Sequence, residues 1–161
     1  MKKIFNLFIS LILLINIYAC SGYKPIFSSS DVQFKIADYS IIGNKELGNQ
    51  IYSKLYNVSR AHENTSEIKN IYVLINVSKN KNATIKNNAG KILAYKIDLS
   101  STFIIKDFIT GTQILNESFT FSSSYKVQDQ YSETIKLENM SIENLVNKIY
   151  QELLIKLSEN I

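Results

Sequence analysis

Between Leu93 and Lys106 the chain alternates in character. Leu93, Tyr95, Ile97, Leu99, Phe103 and Ile105 fall on one side, and Ala94, Lys96, Asp98, Ser100, Thr102 and Lys106 on the other. Successive side chains of a strand point to opposite faces, so this pattern predicts a long strand with one face in the core and one in water. Thr110-Gly111 turns the chain, and Ile114 to Tyr125 returns with Leu115, Phe119, Phe121 and Tyr125 alternating with polar residues. The two segments predict an antiparallel hairpin whose single apolar face must be covered by another layer.

Two helical patterns supply that layer. After the punctuation Gly43-Asn44, residues Leu47, Ile51, Leu55 and Val58 recur at three- and four-residue spacing, with Tyr52 and Tyr56 beside them. This predicts an amphipathic helix from about Lys45 to Ala61, capped by Asn44. From about Gln130 to Ser158 there is no Gly or Pro, and Ile135, Ile142, Leu145, Val146, Ile149, Leu153 and Leu157 keep helical spacing. A long C-terminal helix lying across the sheet as the lid of its core is expected.

Two further strands complete the set. Val32, Phe34 and Ile36 oppose Gln33, Lys35 and Ala37 in one, and Ile71, Val73, Ile75 and Val77 oppose Tyr72, Leu74 and Asn76 in a central one. Lys79 to Lys91 is polar and Asn-rich. It reads as a connection holding at most a short strand around Thr84 to Lys86. The expected fold class is therefore α+β: a roughly four-stranded, mostly antiparallel sheet with both helices packed on one face.

Ahead of this domain, Lys2 and Lys3 precede an apolar run from Ile4 to Ala19, and Cys20, the chain's one cysteine, follows directly. About 16 residues at roughly 1.5 Å each span about 24 Å, short of a hydrocarbon core near 30 Å. A cleaved signal peptide over residues 1–19 is expected, not a membrane helix. Ile17-Tyr18-Ala19-Cys20 resembles a bacterial lipobox, which implies lipid attachment at Cys20. Residues 20–31 then form a lipidated tether, Ser21-Gly22-Tyr23-Lys24-Pro25 followed by Ser28-Ser29-Ser30, and residues 32–161 a single domain. Without a second cysteine, that exported domain must be held by its core and not by an internal disulfide.

The missing chemistry narrows the function. The lone histidine, His62, sits in the polar run His62-Glu63-Asn64-Thr65-Ser66, where a solvated loop side chain is expected. There is no phosphate-cradling Gly-rich loop, nucleophile elbow or paired-Cys motif, and Asp98 and Asp107 fall on the wet face or at a turn. No catalytic residue, metal ligand or cofactor is expected, and an enzyme is the weaker class. The net charge of +4 falls to about +2 once Lys2 and Lys3 leave with the leader, so overall charge decides little. Lys, Asn, Ile and Ser are abundant throughout, which makes single lysines and Asn-x-Ser/Thr matches weak signals.

One charge feature stands out against that background. No acid occurs between Glu67 and Asp98, whereas Lys69, Lys79, Lys81, Lys86, Lys91 and Lys96 lie there, and acids gather in or near the last helix. A basic segment at a sheet end can meet phosphates through charge-assisted hydrogen bonds, although a solvated lysine-rich loop looks the same in sequence. Nucleic acid is not an expected partner of an exported, tethered domain.

The tether Cys20-Ser21-Gly22-Tyr23-Lys24-Pro25-Ile26-Phe27 resembles the start of the lipopolysaccharide-assembly lipoproteins of the LptE family. The order of elements, the Thr110-Gly111 turn, the Ser124-Tyr125 strand ending and the C-terminal helix resemble that family too. Ser21 departs from its pattern by separating Cys20 from Gly22, and Lys24 stands where an arginine is common. The resemblance implies a lipoprotein anchored in the outer membrane of a Gram-negative cell and facing the periplasm. Such a protein plugs and supports the β-barrel LptD and contacts lipopolysaccharide during export. Lys79, Lys81, Lys86 and Lys91 are the candidate contacts that the resemblance implies. The alternative is a generic lipoprotein module that binds or scaffolds another lipid or envelope protein, for which a deep apolar pocket between helix and sheet would speak.

Overall fold

A parallel pair begins the molecule. Strand β1 (Phe34–Gly43) leads into helix α1 (Lys45–Arg60), and the chain comes back as β2 (Lys69–Lys86), alongside β1. Strands β3 (Ile92–Asp107) and β4 (Gln113–Lys126) follow in antiparallel succession, and helix α2 (Tyr131–Asn160) ends the fold. The sheet order is β1-β2-β3-β4. The α+β class with a four-stranded, mostly antiparallel sheet and two helices is thus observed, its one parallel pair being β1 with β2. The computed structural model describes residues 34–60 and 68–161. The expected signal peptide, Cys20, the expected tether, Val32, Ala61 and His62 lie outside the described residues.

The core lies between one sheet face and the helices. Ile71, Val73, Ile75 and Val77 of β2 and Ile97, Leu99, Phe103 and Ile105 of β3 are fully buried, as their alternation predicts. Against them pack Leu47, Ile51 and Leu55 of α1 and Leu145, Val146, Ile149, Leu153 and Leu157 of α2. Each such side chain taken from water stabilises the fold by about 1.5–3 kcal/mol, which is why these stripes and not helix propensity place the helices. Asn44 caps α1 as expected, its Oδ1 accepting the Leu47 N–H at 3.1 Å. Gly48 lets α1 settle directly on Ile41 of β1, where an added Cβ would collide with the isoleucine side chain.

Two expectations need correction. Residues 79–91 are not a connection. β2 continues through Lys86 in register with β3, from Lys79 opposite Leu99 to Lys86 opposite Ile92, leaving a tight turn at Asn87 to Gly90. Backbone ladder bonds hold this polar extension, and they ask nothing of side-chain hydropathy. The phase of β3 also slips at its start, where Leu93 is 40% exposed and Ala94 is buried, because the pairing is irregular around Ile85. In β1 the expected alternation holds, with Phe34 and Ile36 buried and Lys35 and Ala37 exposed, and a bulge between Ile36 and Asp38 then resets it so that Tyr39 and Ile41 face the helices.

Candidate functional site

Past the apolar layer, the helix-side face of the sheet turns polar. Lys81 of β2 stands opposite Ile97, beside Tyr95 of β3 and Tyr125 of β4, and the first turns of α2 pass over it. Lys81 Nζ donates to Glu138 Oε2 at 2.6 Å and lies 4.4 Å from the Tyr95 ring centroid and 5.7 Å from that of Tyr125. The Tyr125 hydroxyl donates to the same Glu138 oxygen at 2.8 Å, and the two rings stack at 5.8 Å. Burial opposes charge on Lys81, but the hydrogen bonds to Glu138 and Tyr125 outweigh it and hold its pKa above the ordinary lysine value. Burial likewise opposes charge on Glu138, yet the Lys81 ammonium and the Tyr125 hydroxyl bring its carboxyl below the ordinary range. The cluster is a clasp between α2 and the β2–β3 hairpin.

The four candidate lysines therefore separate. Lys81 is spent on the clasp. Lys79 lines a cleft of about 750 Å³ between α1 and α2, together with Glu46, Gln50, Lys54, Glu138 and Glu143, and its charge helps lower the pKa of Glu138. Lys86 and Lys91 flank the tip of the hairpin, both exposed, and Lys126 ends β4 opposite Ala94 at the same end. Asn87 shapes that tip, its Oδ1 accepting the N–H groups of Ala89 at 3.1 Å and Lys91 at 2.9 Å, with Gly90 at φ +80°. Ile85 is 53% exposed beside these cations, so the tip offers positive charge next to apolar surface. Sequence reasoning missed Glu138, which lies 57 residues from its partner, and the register that sets Tyr95 against Tyr125.

The opposite sheet face is paved with small polar groups. Ser100 and Thr120 hydroxyls lie 2.9 Å apart, Thr102 and Ser118 hydroxyls 2.8 Å apart, and Ser122 donates to Asp98. Lys96 pairs with Asp98 at 2.8 Å, and bonds from Lys96 and Ser122 hold the Asp98 carboxyl below the usual range. Ser78, Asn80 and Asn82 of β2 stand in the same rows. Apolar groups stand on this face too: Ile42 of β1, 50% exposed, continues the Asn76–Thr102–Ser118 row, and Leu74 and Ile104 pair toward the far end. A second cleft, of about 430 Å³, runs between β4 and α2 and is lined chiefly by polar side chains such as Asn144, Asn147 and Gln151. Among the described residues, no group of three or more His, Cys, Asp or Glu side chains could hold a metal ion.

No protein-family model and no curated relative matches the chain. Solved structures do match its fold, and they define the class of architecture. Lipoprotein B of Nitrosomonas europaea, itself uncharacterized, is 13% identical and superposes with a TM-score of 0.59 over 83% of this chain and 88% of its own. A candidate lipoprotein of Caulobacter crescentus is 16% identical with a TM-score of 0.51, covering 81% and 90%. The minor lipoprotein of Acinetobacter baumannii is 16% identical with a TM-score of 0.50, covering 80% and 94%. At these identities the likeness is one of fold.

Proposed function

We propose that the chain is an LptE-like outer-membrane lipoprotein, anchored through Cys20 and facing the periplasm. It rests inside an LptD-like barrel and meets lipopolysaccharide at its basic hairpin tip. The hydroxyl-paved sheet face carries this reading. A barrel lumen presents hydrophilic side chains inward, and the Ser, Thr and Asn rows of this face can exchange hydrogen bonds with such a wall. The tether sequence from Cys20 to Phe27 and a fold shared with bacterial lipoproteins support it. Acyl chains on Cys20 would keep the domain beside its barrel, at about 0.8 kcal/mol for each buried methylene. The domain acts by positioning and binding, without catalysis.

The lipopolysaccharide contact narrows to Lys86 and Lys91, joined by Lys126, because Lys81 is neutralised by Glu138 and Lys79 shares its cleft with Glu46, Glu138 and Glu143. The cargo-carrier alternative draws no support from the two clefts, whose linings are mostly polar. The test is a photo-crosslinking residue placed at Ser100 or Ser118 of the full chain in cells, followed by gentle solubilisation. A shared adduct with one large outer-membrane barrel is the expected result. A chain that purifies without a barrel and cross-links to nothing through this face overturns the reading.

A further inference from the structure

The end of the sheet away from the basic hairpin carries the most exposed apolar side chain described, Ile109 at 81%, next to Phe108 at 52%. Both sit in the β3–β4 turn, a position where polar residues are the rule. The turn is held firmly. Asp107 Oδ1 accepts the N–H groups of Ile109 at 2.9 Å and Thr110 at 2.8 Å, Gly111 adopts φ +70°, and Phe108 N–H donates to the Asn70 carbonyl at 2.9 Å. The bonds from Thr110 and Ile109 lower the pKa of Asp107, which stays a carboxylate within the turn. Lys35, Lys69 and Lys106 stand around this end, where Phe34 pairs with Lys69 and Tyr72 with Lys106. Phe34 also opens β1, so the 33 residues that precede it, Cys20 among them, join the domain here.

We infer that the Phe108-Ile109 turn is a second membrane contact, which dips its two apolar side chains into the interface of an anionic phospholipid leaflet while the neighbouring lysines meet headgroup phosphates. An aromatic and an aliphatic side chain on a rigid tip, with Lys35, Lys69 and Lys106 at the same end of the sheet, match the boundary between headgroups and acyl chains. The chain that leads back to Cys20 ends at this same edge, so an acyl anchor and the tip would address one leaflet. The inference is independent of any barrel. It shares with the proposed function only the placement of Cys20 at a membrane.

The chain lacks tryptophan, so Ile109→Trp makes a unique fluorescent reporter, and Asn88→Trp makes its counterpart at the far hairpin tip. Each full chain, purified from bacterial membranes and checked by mass for acylation, is reconstituted into phosphatidylethanolamine–phosphatidylglycerol vesicles with brominated acyl chains. The reporter at 109 is expected to shift to the blue and lose about half its emission or more, most strongly to bromines high on the acyl chain, at the depth of interfacial side chains. The reporter at 88 is expected to keep its emission. Absence of quenching at 109, or equal quenching at both positions, overturns the inference whether or not the chain is acylated. Quenching at 109 in an unacylated chain upholds it while removing the Cys20 anchor. A blue shift at 109 that follows protein concentration and ignores the bromines assigns the tip to self-association and overturns it.

Discussion

Glu138 is the residue on which the polar end of the fold turns. One oxygen accepts both the Lys81 ammonium and the Tyr125 hydroxyl, so losing it strands two donors at once. Because its folded pKa lies below the ordinary 4.5, the unfolded chain takes up protons first on acidification. The stabilisation from this carboxylate is therefore complete above about pH 4.5 and drains away as pH falls through the depressed folded value. Lys81, shifted upward, keeps its share until strongly alkaline pH, so neutral pH lies on the plateau of both groups. Glu138→Gln keeps the shape and loses the charge. It is expected to cost about 1 kcal/mol in urea unfolding at pH 7, a small figure because solvent screens the partly exposed Lys81, and to lose that difference once the pH falls below the depressed folded pKa of Glu138. A pH-independent deficit would mean that Glu138 acts through packing alone. Ser101 is the opposite case: it is 1% exposed on the core face of β3, opposite Val77 and Phe119, and its hydroxyl has no partner among the described residues. Ser101→Ala is expected to leave stability unchanged or raise it by up to about 1 kcal/mol, read as a higher urea midpoint at constant slope.

At the scale of elements, the apolar patterns were legible and the polar ones were not. The stripes of α1 and α2, the alternation of Ile71 to Val77 and the return strand to Tyr125 all follow from burying one face, and each appears where its period places it. The distal half of β2 has no such face. From Ser78 to Lys86 every residue is exposed, so nothing in its hydropathy distinguishes strand from loop, and only pairing with β3 reveals it. The Lys81 clasp was hidden for the same reason: it needs the register of three strands and a helix that begins 50 residues later. This division yields a contrast between lysines on one hairpin. Lys86→Ser with Lys91→Ser removes two exposed tip charges, and it is expected to weaken lipopolysaccharide binding and its salt dependence while shifting stability by no more than about 0.5 kcal/mol. Lys81→Ser is expected to cost about 1–3 kcal/mol by leaving the Glu138 carboxylate uncompensated, with little direct loss of binding once the protein is folded. Binding isotherms and urea melts on the same variants separate the two. Loss of binding in Lys81→Ser alone would return that residue to the ligand site.

The whole molecule has a length that bears on its proposed setting. The 16 residues of β3, at about 3.3 Å each, put roughly 50 Å between the apolar turn at Phe108-Ile109 and the basic hairpin tip. A bilayer with its headgroups is about 40–45 Å thick. A domain held at the inner leaflet by one end and enclosed by a barrel would present Lys86 and Lys91 near the level of the outer headgroups, where an exported anionic lipid must arrive. Between the two ends run the sheet's outer face and the 30-residue helix α2, about 45 Å long, and the outer face has hydroxyl pairs in two of its middle rows. Replacing one such row, Ser100→Leu with Thr120→Leu, adds β-compatible apolar side chains to an exposed position and removes one solvent-accessible hydrogen bond. Stability of the isolated chain should move by no more than about 0.5 kcal/mol. Inside a polar lumen, the same leucines would displace bridging waters and leave wall groups without partners, at about 1–3 kcal/mol for each polar group left unsatisfied. Barrel recovered with the chain from gently solubilised membranes should therefore fall several-fold while the melting temperature of the domain holds. A variant that keeps both its melting temperature and its barrel would show that the hydroxyl face looks into water, and the working surface would have to be sought among the helices.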